Sequence, residues 1–264
     1  MIEKKILSPI ELVKYQSQIA NLFEICFNEG LDSSLWKWAY LDNPIGDPII
    51  AVAHEDGCIV AHYAMIRMPF VENSNPLEGY LSMTTMVHPD FRKYGLFVEL
   101  ANLTYSQASK NSFVYGFPNA NSLPGFKKRL EWMVSTDYCI ASIDEHLLPM
   151  YQSTLESEKS KGIELDLSNP EFLAWRLSKP GCEYKSEGSL IYKEHKGAID
   201  LMNIDIENLP YFYKSQKVFN ILSNDESLVG ESNSFQPYNF GVRSLGANIN
   251  LELFRPTLIM SDVF

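Results

Sequence analysis

The chain has 264 residues, of which 45% are hydrophobic and 21% are charged. This balance is typical of a folded globular protein and excludes a disordered chain, and the length suits one large domain or two small ones. The formal net charge of −11 excludes a general basic surface for nucleic acid, so an anionic ligand must be held by a local group of cations.

Cysteine spacing and the length of hydrophobic runs indicate in which cellular compartment the protein lies. The four cysteines lie far apart, without short metal-ligand spacing, so we expect reduced thiols and no metal site. No apolar run reaches the length of a membrane helix, and the first residues lack the apolar core of a signal peptide. We therefore expect a cytoplasmic protein without membrane contact.

Periodicity and turn residues divide the first part of the chain into alternating strands and helices. The predicted elements are a strand at 2–7, a helix at 9–27, a helix capped at residue 32 and ended by residue 44, strands at 49–54, 58–68 and 80–87, a helix from residue 96, a strand at 112–117, a helix at 119–130 and a strand at 132–143. This order predicts an α/β (α+β) fold.

The rest of the chain is predicted in the same way. Its predicted elements are a helix or linker at 151–162, a helix at 171–177, strands at 189–194, 198–204, 218–222 and 248–253, and a polar loop at 225–238. Trp38 and Trp175 each lie centrally in a helix that a proline ends and two strands follow. The pattern predicts two related halves, 1–145 and 146–264, although any Trp-bearing amphipathic helix before a hairpin would look similar.

The turn between the strand ending at Val87 and the helix after Gly95 is the strongest candidate site. Pro89 ends the strand, and Gly95 permits a tight turn and a close approach to the backbone. The helix start offers unpaired N–H groups and a partial positive charge, and Arg92 and Lys93 stand beside it. These features predict a phosphate or pyrophosphate site, although an ordinary strand-turn-helix connection could carry the same residues.

This segment resembles the signature of the GNAT N-acyltransferase superfamily, whose turn binds the pyrophosphate of coenzyme A. Val87, Pro89, Arg92 and Gly95 match that signature, whereas Phe97 stands where a second small residue is usual. The resemblance implies a GNAT fold with a mixed central sheet and tandem GNAT-like halves. The second half has no Arg-x-x-Gly turn and would be degenerate.

The resemblance also implies acyl-CoA as co-substrate and assigns its binding residues. The strand end would follow the pantetheine arm, and the turn would hold the pyrophosphate. The residues expected to contact the coenzyme are Met86, Val87, His88, Arg92, Lys93, Tyr94, Gly95, Leu96, Phe97, Asn119 and Ser122.

Four residues are candidates for proton transfer or orientation in the reaction. His62 and His88 have a suitable intrinsic pKa, and Tyr115 is a further candidate. Asn119 resembles the asparagine at the start of the family's final helix. The alternatives are a core histidine, a surface histidine and a helix-capping asparagine. Lys127 stands where many family members carry a tyrosine acid, so the thiolate would leave without help.

The segment Gly116–Ser122 and the second half resemble a bacterial subgroup that acylates nucleotide-linked amino sugars for surface polysaccharide such as the O-antigen of lipopolysaccharide. The implied acceptor is the amine of a nucleotide-linked (dideoxy)amino sugar. Trp38, Arg243 and Arg255 are candidate acceptor contacts. The alternatives are a GNAT enzyme acting on a protein or peptide amine and a non-catalytic acyl-CoA-binding protein. We expect the protein to be a monomer or a homodimer.

Overall fold

A computed structural model describes residues 1–157 and 162–261 of the chain. The strands form two mixed sheets, one of eight strands and one of six. Every helix in the described ranges is too short or too polar to cross a bilayer.

Most elements of the first half lie where periodicity predicts them. Their bounds are β1 (Glu3–Ile6), α1 (Pro9–Phe27), α2 (Ser33–Tyr40), β2 (Ile49–Glu55), β3 (Cys58–Glu72), β4 (Asn75–Val87), a 3₁₀ turn (Pro89–Tyr94), α3 (Leu96–Tyr105), β5 (Ser112–Gly116), α4 (Leu123–Arg129), β6 (Met133–Ser135) and β7 (Cys139–Asp144). Ser8 and Asp32 cap α1 and α2 with their side-chain oxygens, which explains the sharp helix starts.

The second half carries more strand than helix. Its elements are α5 (Leu148–Ser157), β8 (Ile163–Leu165), α6 (Pro170–Leu177), β9 (Tyr184–Glu187), β10 (Leu190–His195), β11 (Ala198–Asn203), a 3₁₀ turn (Leu209–Phe212), β12 (Val218–Ser223), α7 (Glu226–Gly230), β13 (Ser234–Pro237), β14 (Phe240–Ser244) and 3₁₀ turns at Leu251–Leu253 and Leu258–Met260.

Three predicted elements were wrong. Residues 132–143 form two strands of different sheets, because the Asp137 N–H donates to Ser135 Oγ and closes a turn between β6 and β7. The predicted strand at 248–253 contains a 3₁₀ turn capped by Asn250. The predicted loop at 225–238 contains α7, capped by Asp225, and β13, whose exposed edge residues gave no apolar signal.

The two sheets share one topology. The first has the order β1-β2-β3-β4-β5-β14-β6, with β8 beside β3, and the second has the order β9-β10-β11-β12-β7-β13. Among the strands of the described residues, β4–β5 and β11–β12 are the parallel pairs, and the other pairs are antiparallel. Strands β9 to β13 therefore repeat the arrangement of β2 to β6.

Each half gives one strand to the sheet of the other. β7 follows β6 in the chain but lies between β12 and β13, whereas β14 follows β13 but lies between β5 and β6. The exchange occurs across the predicted boundary between residues 145 and 146. The division into two domains there stays a prediction, because sheet membership does not measure independent folding.

The halves differ where the candidate site lies. Ten-residue α3 joins β4 to β5, whereas residues 204–217, which join β11 to β12, contain only the 3₁₀ turn Leu209–Phe212. The first sheet packs one face against α3 and α4 and the other against α1, α2 and the C-terminal segment. The helix start that the sequence singles out therefore has no counterpart in the second half.

Candidate active site

A gap opens between the parallel strands β4 and β5. The two strands pair from Glu78 and Ser112 to Leu81 and Tyr115, and no pairing follows. β4 nevertheless continues to Val87, so its last six residues, 82–87, have no partner on that side. Open α/β sheets bind ligands beyond the carboxyl ends of their strands, and this gap lies at such an end.

A β-bulge at Thr84 shapes the wall of the gap. Ala64 pairs with Met83 and His62 with Met86, so two β4 residues stand opposite one β3 residue. Thr84 has a φ of 45°, which is strained for a β-branched residue. The Tyr40 hydroxyl hydrogen bonds to Thr84 Oγ1, and His62 Nδ1 lies 2.9 Å from the Thr84 carbonyl oxygen. Tyr40 and His62 therefore hold the bulge from both sides.

His62 is a buried, neutral residue. Its side chain is 1% exposed, and burial lowers its pKa to about 4. Because its partner is a carbonyl oxygen, Nδ1 must carry the proton, and the buried Nε2 has no partner among the described residues. The geometry gives His62 a positioning role at the bulge. Its role as the base stays a prediction.

The turn after β4 presents cations to an open helix start. Gly95 has a φ of 75° and precedes α3, and no side chain caps that helix. Arg92, Lys93 and Tyr94 are exposed. A Cβ atom at Gly95 would lie 3.9 Å from a guanidinium nitrogen of Arg129, so Arg129 lies over the turn as well. Uncapped N–H groups beside cations form an anion site.

Arg129 is the residue that sequence reasoning missed. It ends α4 after Lys127 and Lys128, and only the packing of α4 beside α3 brings it to Gly95. Three consecutive cations were the available signal. Phe97, the departure from the family signature, packs its ring against Gly125 in α4, where a Cβ would come within 2.9 Å of it. The missing side chain at Gly125 thus makes room for Phe97.

The end of β4 places the other predicted coenzyme contacts beside the gap. Met86 is buried, and the Val87 carbonyl accepts a bond from Arg92 Nε at 3.4 Å. His88 Nδ1 accepts from the Asp90 N–H at 3.3 Å, so His88 caps the following turn. Leu96 is buried beneath the helix start. Coenzyme contact by these residues stays a prediction.

Asn119 and Ser122 form a local turn before α4. Asn119 Oδ1 accepts from the N–H groups of Asn121 at 3.1 Å and Ser122 at 3.0 Å. Ser122 Oγ also lies 3.1 Å from Asn119 Oδ1. These bonds occupy the Asn119 oxygen in the turn before α4, whose N-cap residue is Ser122, so Asn119 is not the helix cap itself. A coenzyme contact by the exposed Asn119 amide stays a prediction.

Tyr115 faces the core instead of the gap. Its side chain is fully buried, its hydroxyl donates to the Met260 carbonyl at 3.1 Å, and burial raises its pKa far above the usual range. Ser82, Tyr63 and Tyr105 form a chain of hydroxyl groups that begins at the first unpaired residue of β4 and has two contacts of 2.8 Å. Sequence reasoning missed this chain, because its members lie on three separate elements.

The structure does not bring the predicted acceptor contacts together. Trp38 stacks on Trp175 in the interface between α2 and α6. Arg243 donates to the Leu130 carbonyl and lies over the Tyr105 ring. Arg255 forms an ion pair with Glu164. Sequence spacing gives no distance between such remote positions.

One cavity lies near the start of β4, at the opposite end from the unpaired residues of that strand. It has a volume of about 370 Å³, and Arg255 and Val71 are among its lining residues. Val71 pairs with Pro76 at the start of β4, and a strand rises about 3.3 Å per residue, so this part of the cavity wall lies roughly 20 Å from Ser82, where the gap begins. Size alone therefore does not make this cavity the reaction site.

Comparison with known proteins identifies the fold. No protein-family model matches the sequence, and no curated protein matches it. A conserved protein of unknown function from Enterococcus faecalis V583, described as a probable N-acyltransferase, is similar with a TM-score of 0.63 and 11% identity over 93% of this chain and 73% of its own. A GCN5-related N-acetyltransferase from Kribbella flavida has a TM-score of 0.64 and 9% identity over 92% and 72%.

A third solved structure agrees with these two. The GCN5-related N-acetyltransferase from Anabaena variabilis ATCC 29413 has a TM-score of 0.60 and 11% identity over 93% of this chain and 73% of its own. Identities this low show the fold alone. The predicted α/β GNAT fold with mixed sheets is confirmed, and the similarity extends over both sheet-bearing halves.

Proposed function

We propose that this protein is an acyl-CoA-dependent N-acyltransferase whose acceptor is the amine of a nucleotide-linked amino sugar used for surface polysaccharide. One observation carries the proposal. The gap between β4 and β5 adjoins an uncapped helix start at Gly95, beside which lie Arg92, Lys93 and Arg129. An acyl-CoA requires both features, because its diphosphate binds to cations and N–H groups and its pantetheine arm must lie in an open channel.

The coenzyme would lie with its diphosphate on the turn and its thioester in the gap beside Thr84. The amine nitrogen attacks the thioester carbon, the C–N bond forms, the C–S bond breaks and the thiolate of coenzyme A leaves. Backbone N–H groups of β4 at the bulge would donate to the developing oxyanion, and donors of this kind stabilise it by about 3 kcal/mol. The proton lost by the amine passes to His88 or to water.

The neighbours' names support the donor but leave the acceptor open. The Enterococcus protein is a probable N-acyltransferase, and the Kribbella and Anabaena proteins are GCN5-related N-acetyltransferases. The amino-sugar acceptor rests on the Gly116–Ser122 segment and on the related second half. That half repeats the strand order of the first but lacks its helix start. This combination is expected of a tandem duplicate that no longer binds the coenzyme.

Two assays test the proposal. Calorimetric titration with coenzyme A should show binding, and release of free thiol from acetyl-CoA should accelerate with a TDP- or UDP-linked amino sugar. Turnover with a basic peptide and not with amino sugars would show that the acceptor is a peptide amine. Binding without turnover on any amine would indicate a non-catalytic protein, and no binding of coenzyme A would overturn the proposal.

A further inference from the structure

A polar row crosses the face of the second sheet that looks towards the C-terminal segment. Lys193, Asp200, Asn220 and Ser142 stand directly opposite one another on β10, β11, β12 and β7. Directly opposite residues project from the same face, so the four side chains form one line. The other face of these strands packs apolar residues against α5 and α7.

Hydrogen bonds order the middle of this row. Ser142 Oγ donates to Asn220 Oδ1 at 2.6 Å, and Asn220 Nδ2 donates to Asp200 Oδ1 at 2.7 Å. The amide of Asn220 is thereby fixed in one orientation. No donor among residues 1–157 and 162–261 bonds to the second carboxylate oxygen of Asp200. A fixed acceptor of this kind can bind a hydroxyl group without reorganisation.

Three residues of this row, Lys193, Asp200 and Asn220, line a cavity of about 220 Å³. His195, Gln236, Tyr238 and Ser261 complete its polar wall. Pockets for drug-sized ligands span about 300 to 1,000 Å³. This cavity therefore accommodates one ring of a larger ligand, and the exposed His195 and Gln236 mark the rim over which the remainder would extend.

The cavity lies next to the gap of the first sheet. Its lining residue Tyr238 packs against Phe117 with ring centroids 5.0 Å apart, and Phe117 directly follows the last residue of β5. Ser261, which also lines the cavity, accepts a bond from the Tyr238 hydroxyl at 2.7 Å. One aromatic ring thus separates the cavity from the carboxyl end of β5.

We infer that this cavity is the acceptor site, an inference that rests on the proposed function. Asp200 and Asn220 bind the hydroxyl groups of the sugar ring. Lys193 and His195, two residues apart on the same face of β10, contact the diphosphate. The larger cavity is less suited to an anion, because Glu164 and Asp166 line it with Arg255 as the only cation among its described lining residues.

Steady-state kinetics on the full chain test this assignment. The acceptor probe is TDP-4-amino-4,6-dideoxyglucose and the donor is acetyl-CoA. The variants are Asp200→Asn and Lys193→Met. The control is Glu194→Gln, whose exposed side chain lies on the opposite face of β10 from Lys193 and His195. Each site variant should raise the KM for the sugar about tenfold, as expected for the loss of a charged hydrogen bond. The KM for acetyl-CoA and both constants of the control should stay within about twofold of wild type.

Failure of the inference is distinguishable from failure of the proposed function. If the wild-type enzyme acylates the sugar and both site variants keep its KM, the acceptor lies elsewhere. If no amine is acylated, the proposed function fails, and calorimetric binding of the same nucleotide sugar becomes the readout. Binding that Asp200→Asn weakens about tenfold would support the site, whereas absent or unchanged binding would overturn it.

Discussion

Trp38 and Trp175 bind each other reciprocally. The indole N–H of Trp38 donates to the Trp175 carbonyl at 2.7 Å, the indole N–H of Trp175 donates to the Trp38 carbonyl at 2.8 Å, and the rings stack with centroids 4.6 Å apart. The two residues also hold matching places in the segments Ser34–Tyr40 and Glu171–Leu177. A self-complementary contact of this kind is what a two-fold axis generates. It supports related halves packed about a local two-fold axis.

Replacing either tryptophan by phenylalanine should destabilise the fold. Trp175→Phe removes the indole donor to the Trp38 carbonyl and should cost about 1 to 3 kcal/mol in urea unfolding. Trp38→Phe should cost less, because the Trp175 carbonyl also accepts hydrogen bonds from Ser178. Trp36→Phe is the matched control, because Trp36 is equally buried and its Nε1 has no hydrogen bond among the described residues. A reciprocal contact would be contradicted if all three variants lost the same free energy of unfolding. It would also be contradicted if the double variant of Trp38 and Trp175 showed no coupling energy.

Exchange of Arg129 should weaken coenzyme binding. Arg129→Gln removes a guanidinium that lies over Gly95, and loss of one charge-assisted hydrogen bond corresponds to about a tenfold rise in Kd. Calorimetric titration with coenzyme A measures it. Lys185→Ala, an exposed lysine of β9 paired with Glu194, is the control and should leave the affinity unchanged. An affinity insensitive to Arg129 would place the diphosphate elsewhere.

Burial of neutral His62 should make stability depend on pH. Burial lowers the folded-state pKa to about 4, whereas the unfolded value is 6.5, so between these values the unfolded chain binds more protons. Stability is therefore lost as the pH falls from about 6.5 to about 4, by up to about 3 kcal/mol for this group.

His62→Asn tests this dependence, since its amide can still donate to Thr84 but does not titrate. Urea unfolding should show a shallower acid-side decline for this variant than for wild type. His146→Gln, which alters an exposed histidine, should keep the wild-type slope. If His62→Asn declines as steeply as wild type, His62 does not titrate in the folded state as described.

The docking of β14 should depend on Gly246. The N–H groups on either side, of Leu245 and Ala247, donate to the Ser112 carbonyl, and a Cβ at Gly246 would lie 1.8 Å from the Lys110 carbonyl oxygen. Gly246→Ala should therefore cost more than about 2 kcal/mol, from a clash added to a positive φ.

Gly57→Ala is the matched control for Gly246→Ala. Gly57 has a φ of 80°, but an added Cβ there would meet no atom within 4 Å, so only the backbone strain remains. Urea unfolding compares the two variants. If both variants lose the same free energy of unfolding, the Lys110 backbone can move away from the added Cβ, and β14 is not held closely against β5.

Interactions between residues close in sequence determined most helices and strands and the glycine turn of the candidate site. Ser8, Asp32 and Gly95 act within a few residues of themselves, so the helix starts and the glycine turn could be predicted from sequence. The same reasoning misplaced the last strand, because β14 is only five residues long and its partners are remote in sequence.

The sequence by itself determined the order of the strands and helices from β1 to α4, the cationic turn before α3 and its absence from the second half. Only the tertiary structure decided that β7 and β14 exchange sheets, that Arg129 reaches Gly95 and that Lys193 and Asn220 stand in one row. The physical reason is range. Capping, periodicity and turn geometry act over a few residues, whereas strand pairing and side-chain convergence depend on which distant surfaces bury one another.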